Sequence, residues 1–232
     1  MATYVIDNNF ENFPMVNEMN EWQQHYYFKI HHYKPVNLHG VKSDIVDSIL
    51  SRSPRYDFNG FWIIGGHMDQ PISVAQRAFV DTSFLLVSNK QFCGAWADLY
   101  ISLNKVKKNA IIIADTDYAS VTPLPDDKSV PIWTGAIYSK PVKLAAGKYE
   151  LTISSHGSIS DKEYARLAIS ANDKPIGVFY TDQSLGLNSF FFEMPIGKEV
   201  AFKIALTNDR SDKEMGTDRN AFVRLLIIRK IQ

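Results

Sequence analysis

Val200-Ala201-Phe202-Lys203-Ile204-Ala205-Leu206 decides the fold class. Every second residue is apolar, and the residues between are small or charged. Successive side chains of a strand point to opposite faces, so this period of two means a strand with one face buried and one face wet. A polar stretch follows: Thr207-Asn208-Asp209-Arg210-Ser211-Asp212-Lys213-Glu214-Met215-Gly216-Thr217-Asp218-Arg219-Asn220. A second apolar strand, over 222–228, comes after it.

The same alternation recurs upstream. Tyr149, Leu151 and Ile153 alternate with Glu150, Thr152 and Ser154; Ala165, Leu167 and Ile169 alternate with Arg166, Ala168 and Ser170. Turn signals punctuate these runs at Ala146-Gly147, His156-Gly157, Asn172-Asp173-Lys174-Pro175, Leu185-Gly186 and Ile196-Gly197. Short strands at this spacing predict an antiparallel β-sandwich or jelly roll, with no helix after residue 110.

The first half reads differently. Strands are expected over 26–33, 58–64, 84–87 and 97–103. Between them Ser43 caps an expected short helix that carries Ile45, Val46, Ile49 and Leu50 on one face and ends near Pro54. The basic run Asn104-Lys105-Val106-Lys107-Lys108-Asn109 is the expected boundary. It divides a mainly β chain into a β-rich domain of unassigned role, 1–107, and the sandwich, 108–232.

Bulk properties limit the function classes. The chain has 232 residues, 45% of them hydrophobic, and a formal net charge of zero. It is long enough to bury a core, and it lacks the basic excess that binding nucleic acid requires. Neutrality also removes attraction to an anionic membrane, and no run of about 18 apolar residues supports membrane insertion. The start shows neither a basic n-region nor an apolar h-region, which points to a cytoplasmic or non-classically exported protein. Cys93 is the sole cysteine, so no intramolecular disulfide forms; it is expected as a buried thiol filling apolar space.

Five of the six histidines, His25, His31, His32, His39 and His67, lie early in the chain. Adjacent His31 and His32 point to opposite faces of an expected strand, and no His-Glu-x-x-His or Cys-x-x-Cys spacing is present. His67 and Asp69 at a strand end have no recognisable nucleophile to serve. These residues read as structural, and no catalytic set emerges. The tryptophans, at 22, 62, 96 and 133, are candidate stacking platforms, but none adjoins the 207–220 loop in sequence.

The chemistry concentrates in that loop. Asn208-Asp209 stands at one end and Asp218-Arg219-Asn220 at the other, so hard oxygens converge at a sheet mouth. Hard oxygens suit Ca²⁺, which takes six to eight of them at about 2.3–2.6 Å. The same residue types are also ordinary turn formers.

From about residue 110 onward the chain resembles calcium-dependent sugar-binding β-sandwiches. The Asn208-Asp209 and Asp218-Arg219-Asn220 motifs are similar to those of calcium-dependent xylan-binding modules. The PA-I-type galactose-binding lectin is resembled in Trp133-Thr134-Gly135, in His156-Gly157-Ser158-Ile159-Ser160-Asp161, and in 164–171 followed by a hairpin. The turn Asp161-Lys162-Glu163 is shorter than that lectin's loop. The resemblance implies a lectin-like protein that binds glycans of galactose or xylose type through Ca²⁺. It implies Asp209, Asp218, Asn220 and Asp161 as metal residues, with a carbonyl near Ser160-Asp161. Asn208, Asp209, Asp212, Asp218 and Asn220 would face the sugar. Self-association into a homo-oligomer is a further expectation. The alternatives are an enzyme or toxin whose first half is targeted to glycans by the second, and an assembly protein with a non-binding sandwich.

Overall fold

A computed structural model describes residues 1–10, 13–17, 28, 37–38, 59–66, 80, 83–106, 110–119, 121–124, 128–212 and 214–232. The expected helix after Ser43, the strand over 26–33 apart from Phe28, the five early histidines, Asp69 and Trp22 lie outside the described residues. The chain divides into two compact units, Met1–Lys108 and Asn109–Gln232.

The first unit carries a mixed sheet in the order Asn37–Leu38, Met15–Asn17, Gly60–Gly66, Ala95–Ile101, Leu85–Phe92. Met15–Asn17 pairs parallel with both its neighbours, and the remaining pairs are antiparallel. Phe61, Trp62, Ile63 and Ile64 are all buried, so the apolar run over 60–66 is a central strand covered on both faces. The strand expected over 97–103 runs instead as Ala95–Ile101 and passes into a helical turn, Leu103–Val106, where Lys105 and Val106 donate to the Ser102 carbonyl. Cys93 is exposed in the tight turn between Leu85–Phe92 and Ala95–Ile101, which corrects the expectation of a buried thiol. Gly94 beside it takes the left-handed φ of 71° that the turn needs, and the reversal carries Cys93 out to solvent.

The second unit is an antiparallel β-sandwich. One sheet runs Gly186–Met194, Gly147–Gly157, Ala221–Lys230, Ile111–Ile113, with Val130–Ile132 also on Ala221–Lys230. The other runs Lys174–Tyr180, Arg166–Ala171, Phe202–Leu206, Ala136–Tyr138. The apolar residues read from the alternation, Tyr149, Leu151, Ile153, Leu167, Ile169, Val200, Phe202, Ile204 and Leu206, all enter one core between the sheets. Each fully buried aliphatic side chain of this kind is worth about 1.5–3 kcal/mol. The deciding stretch breaks once: Lys198–Val200 pairs with Val142–Leu144, and Phe202–Leu206 joins the second sheet. At the break the Ala201 N–H donates to Asn172 Oδ1 at 2.9 Å, and the Asn172 N–H donates back to the Ala201 carbonyl at 3.0 Å. Among the described residues no α-helix follows residue 110; a single 3-10 turn, Asp115–Asp117, does. No helix of the described residues is long and apolar enough to cross a membrane.

Candidate functional site

One end of the sandwich gathers the loops over 133–135, 158–165, 181–185 and 207–220. Hydrogen bonds join them. The Leu206 N–H donates to the Gly135 carbonyl at 2.8 Å, Thr181 N–H to the Ala165 carbonyl at 2.8 Å, and Gly157 N–H to the Asp182 carbonyl at 2.8 Å. Gly157 permits this closeness: a Cβ there would stand 2.3 Å from Thr181 Oγ1 and 2.9 Å from the Asn220 carbonyl oxygen. Ser158 ties the end of Gly147–Gly157 to the approach of the last strand, donating from Oγ to the Asp218 carbonyl at 2.6 Å and accepting from the Asn220 N–H at 2.8 Å.

At the root of the long loop lies Arg219, only 3% exposed. Its guanidinium donates to three backbone carbonyls on two separate segments. Nε reaches Glu163 O at 3.1 Å, Nη1 reaches Asn208 O at 2.6 Å, and Nη2 reaches Ser160 O. The half-exposed Glu163 carboxylate is 3.5 Å away. In the sequence Arg219 stands inside the Asp218-Arg219-Asn220 motif without an evident role of its own. The signal was strand parity: Ala221 and Val223 face the core, and stepping back by two from them reaches Arg219.

The candidate residues have separate fates. Ser211–Asp212 pairs with Thr217–Asp218, and the Arg219 N–H donates to the Arg210 carbonyl at 2.9 Å. Continued by one residue, that register sets Asn220 beside Asp209. Asp209 and Asp218 are exposed. Asn220 is buried; its Nδ2 donates to Asp218 Oδ2 at 3.1 Å, and its Oδ1 has no hydrogen-bond partner. Asn208 braces the neighbouring strand: its Oδ1 accepts from Arg166 N–H at 2.6 Å and its Nδ2 donates to Tyr164 O at 3.0 Å. Asp212 caps the loop tip, accepting the Glu214 and Met215 N–H groups at 3.0 and 3.1 Å. Asp161 sits in the two-residue turn between Ile159–Ser160 and Glu163–Tyr164, at a φ of 51°, and pairs with Arg210 at 2.8 Å.

A calcium shell needs six to eight oxygens free to turn toward the ion. Asp209, Asp218 and the buried Asn220 Oδ1 are three side chains at the right place. The rest of the expected set is committed elsewhere. The Ser160 carbonyl is taken by Arg219 and the Asp161 carboxylate by Arg210; Asn208 Oδ1, expected to face the sugar, accepts from a backbone amide. Among the described residues no group of three His, Cys, Asp or Glu side chains is placed to hold a metal. With the three-carbonyl ring filled by the guanidinium, Asp209, Asp218 and Asn220 Oδ1 are the oxygens of the expected set left to turn toward an ion, short of the six to eight that a calcium shell takes.

The structure adds an aromatic ring that the sequence could not place. Val130–Ile132 pairs with the last strand so that Ile132 stands opposite Ala221. Trp133, one residue on, therefore comes beside Asn220. It is 53% exposed, and its ring packs edge-on against Phe222 at 5.5 Å. His156 stacks on the same Phe222 ring at 4.8 Å. Tyr180, 55% exposed, stands opposite Arg166, whose amide Asn208 holds. Trp62 and Trp96, the other described tryptophans, are buried.

No protein-family model and no curated protein sequence matches the chain. Among solved structures, the CBM36-1 domain of a multidomain xylanase from the hindgut metagenome of Trinervitermes trinervoides is similar over 53% of this chain and 99% of its own. The identity is 13% and the TM-score 0.40. The C-terminal CBM6 of the laminarinase LamC from Zobellia galactanivorans covers 53% of this chain and 100% of its own, at 10% identity and a TM-score of 0.40. A carbohydrate-binding module CBM36 in complex with calcium and xylotriose covers 51% and 98%, at 15% identity and a TM-score of 0.37. These three structural neighbours are carbohydrate-binding modules, each matched over about half of this chain.

Proposed function

We propose that the second unit binds glycans at the loop end that holds Trp133, Asp209, Asp218 and Asn220. The observation that carries this reading is Trp133. An indole more than half exposed and braced edge-on by Phe222 offers a fixed apolar platform beside hydrogen-bonding groups. A sugar ring has one face of C–H groups and a rim of hydroxyls. The C–H face stacks on the indole, and the exposed Asp209 and Asp218 carboxylates accept from the hydroxyls. Few polar groups of fixed position around an apolar surface are what a small-ligand site requires. A shallow platform buries little area, so single sugars bind weakly and multivalent glycans bind far better.

The test is a glycan array with the full chain, including xylose- and galactose-type sugars, with Trp133→Ala alongside. Binding of at least one glycan class, reduced about tenfold or more in the variant, is the expected result; tenfold corresponds to about 1.4 kcal/mol. Undiminished binding by Trp133→Ala removes the platform from the account. An array with no positive glycan overturns the reading and favours a role in assembly. Running the array in calcium and in chelator separates the ion from the sugar.

A further inference from the structure

We propose that Arg219 is the resident cation of this site, and that the loop end is built without calcium. The argument starts from the carbonyls. Ser160 O, Glu163 O and Asn208 O belong to a hairpin and to the start of the long loop, and all three turn to one point. Carbonyl dipoles that converge repel one another, and donors or a positive charge among them relieve the repulsion. A bound cation could supply it; here the guanidinium does, 3% exposed and delivered by the strand itself. The planar fork suits the task, since it donates to several acceptors in fixed directions, which a point charge on a flexible stem does not do. Arg219 thereby holds Asn208 and the 160–163 hairpin in register with Asp218 and Asn220. It is a positioning residue for the carboxylates proposed to meet the sugar.

Two consequences follow. Melting of the protein is indifferent to calcium. Glycan binding, which rests on the function proposed above, is the same with and without the ion. Asn220 is the point of greatest risk, because its Oδ1 is buried without a hydrogen-bond partner and an ion could claim it.

The experiment is calorimetric melting of the full chain in calcium of about 10 mM and in chelator. A native-state site with a dissociation constant of about 0.1 mM would raise the transition by several degrees at that concentration. The expected shift for the natural protein is below about 1 °C. A rise of several degrees that Asn220→Ala or Asp209→Ala abolishes would overturn the inference. Arg219→Lys keeps the charge and loses the fork. It is expected to melt lower than the natural protein, to remain insensitive to calcium, and to retain part of the glycan binding. If Arg219→Lys melts and binds as the natural protein does, the fork is not what positions the loop, and the inference fails. Calcium-insensitive melting together with an array that shows no binding would sink the function while leaving Arg219 in place. A calcium-shifted transition with normal glycan binding would do the reverse.

Discussion

Two arginines nine residues apart sit in the same loop and do different work. Arg210 makes the shorter ion pair, 2.8 Å to Asp161, but both side chains are about half exposed. Arg219 stands 3.5 Å from Glu163, and its own side chain is 4% exposed. Distance alone ranks them in the wrong order. An exposed pair exchanges one set of water contacts for a flexible partner, and the net gain is small. A buried guanidinium has left water behind, and its hydrogen bonds to Ser160, Glu163 and Asn208 replace that hydration. Removing it strands three inward-facing carbonyls. The two arginines stand on one rung, since the Arg219 N–H donates to the Arg210 carbonyl, so burial is what separates them: the inward side chain is firmly held and the outward one is not.

Substitutions can break this contrast. Arg219→Ala is expected to cost about 3 kcal/mol, because it leaves the Ser160, Glu163 and Asn208 carbonyls short of a charged donor; chemical denaturation of the full chain reads it. A loss below about 1 kcal/mol would place the guanidinium on the surface. Asn208→Ala removes the bonds to Arg166 N–H and Tyr164 O and should cost about 1–2 kcal/mol, seen as a lower denaturation midpoint at unchanged slope. Arg210→Ala should change stability by less than about 0.5 kcal/mol, because both partners are solvated. An Arg210 effect as large as that of Arg219 would erase the distinction between the exposed and the buried arginine.

The sandwich was legible because its strands alternate cleanly. Leu151, Ile153, Phe202 and Ile204 reach the core the period assigns them. The first unit was less so: the parallel pairing of Met15–Asn17 leaves no local trace, since its partners lie at Asn37–Leu38 and Gly60–Gly66. Cys93 was misplaced because a thiol beside Phe92 reads as core until the turn at Gly94 is known. At the candidate site, the sequence brought Asp209, Asp218 and Asn220 to one loop. It could not show that Asn208 and Asp212 spend their side chains on backbone amides. Trp133 is 85 residues from Asp218, and the strand register alone brings it to Asn220. The role of Arg219 was not legible in the sequence, because Asp218 and Asn220, one on each side, carry the oxygens that pattern as ion ligands.

The most direct test is a calorimetric titration of the full chain with the strongest glycan from the array, performed in calcium and again in chelator. The account predicts dissociation constants that agree within about twofold, a difference of about 0.4 kcal/mol or less, and a loss of binding in Trp133→Ala under both conditions. Binding that vanishes in chelator and returns with calcium would contradict it.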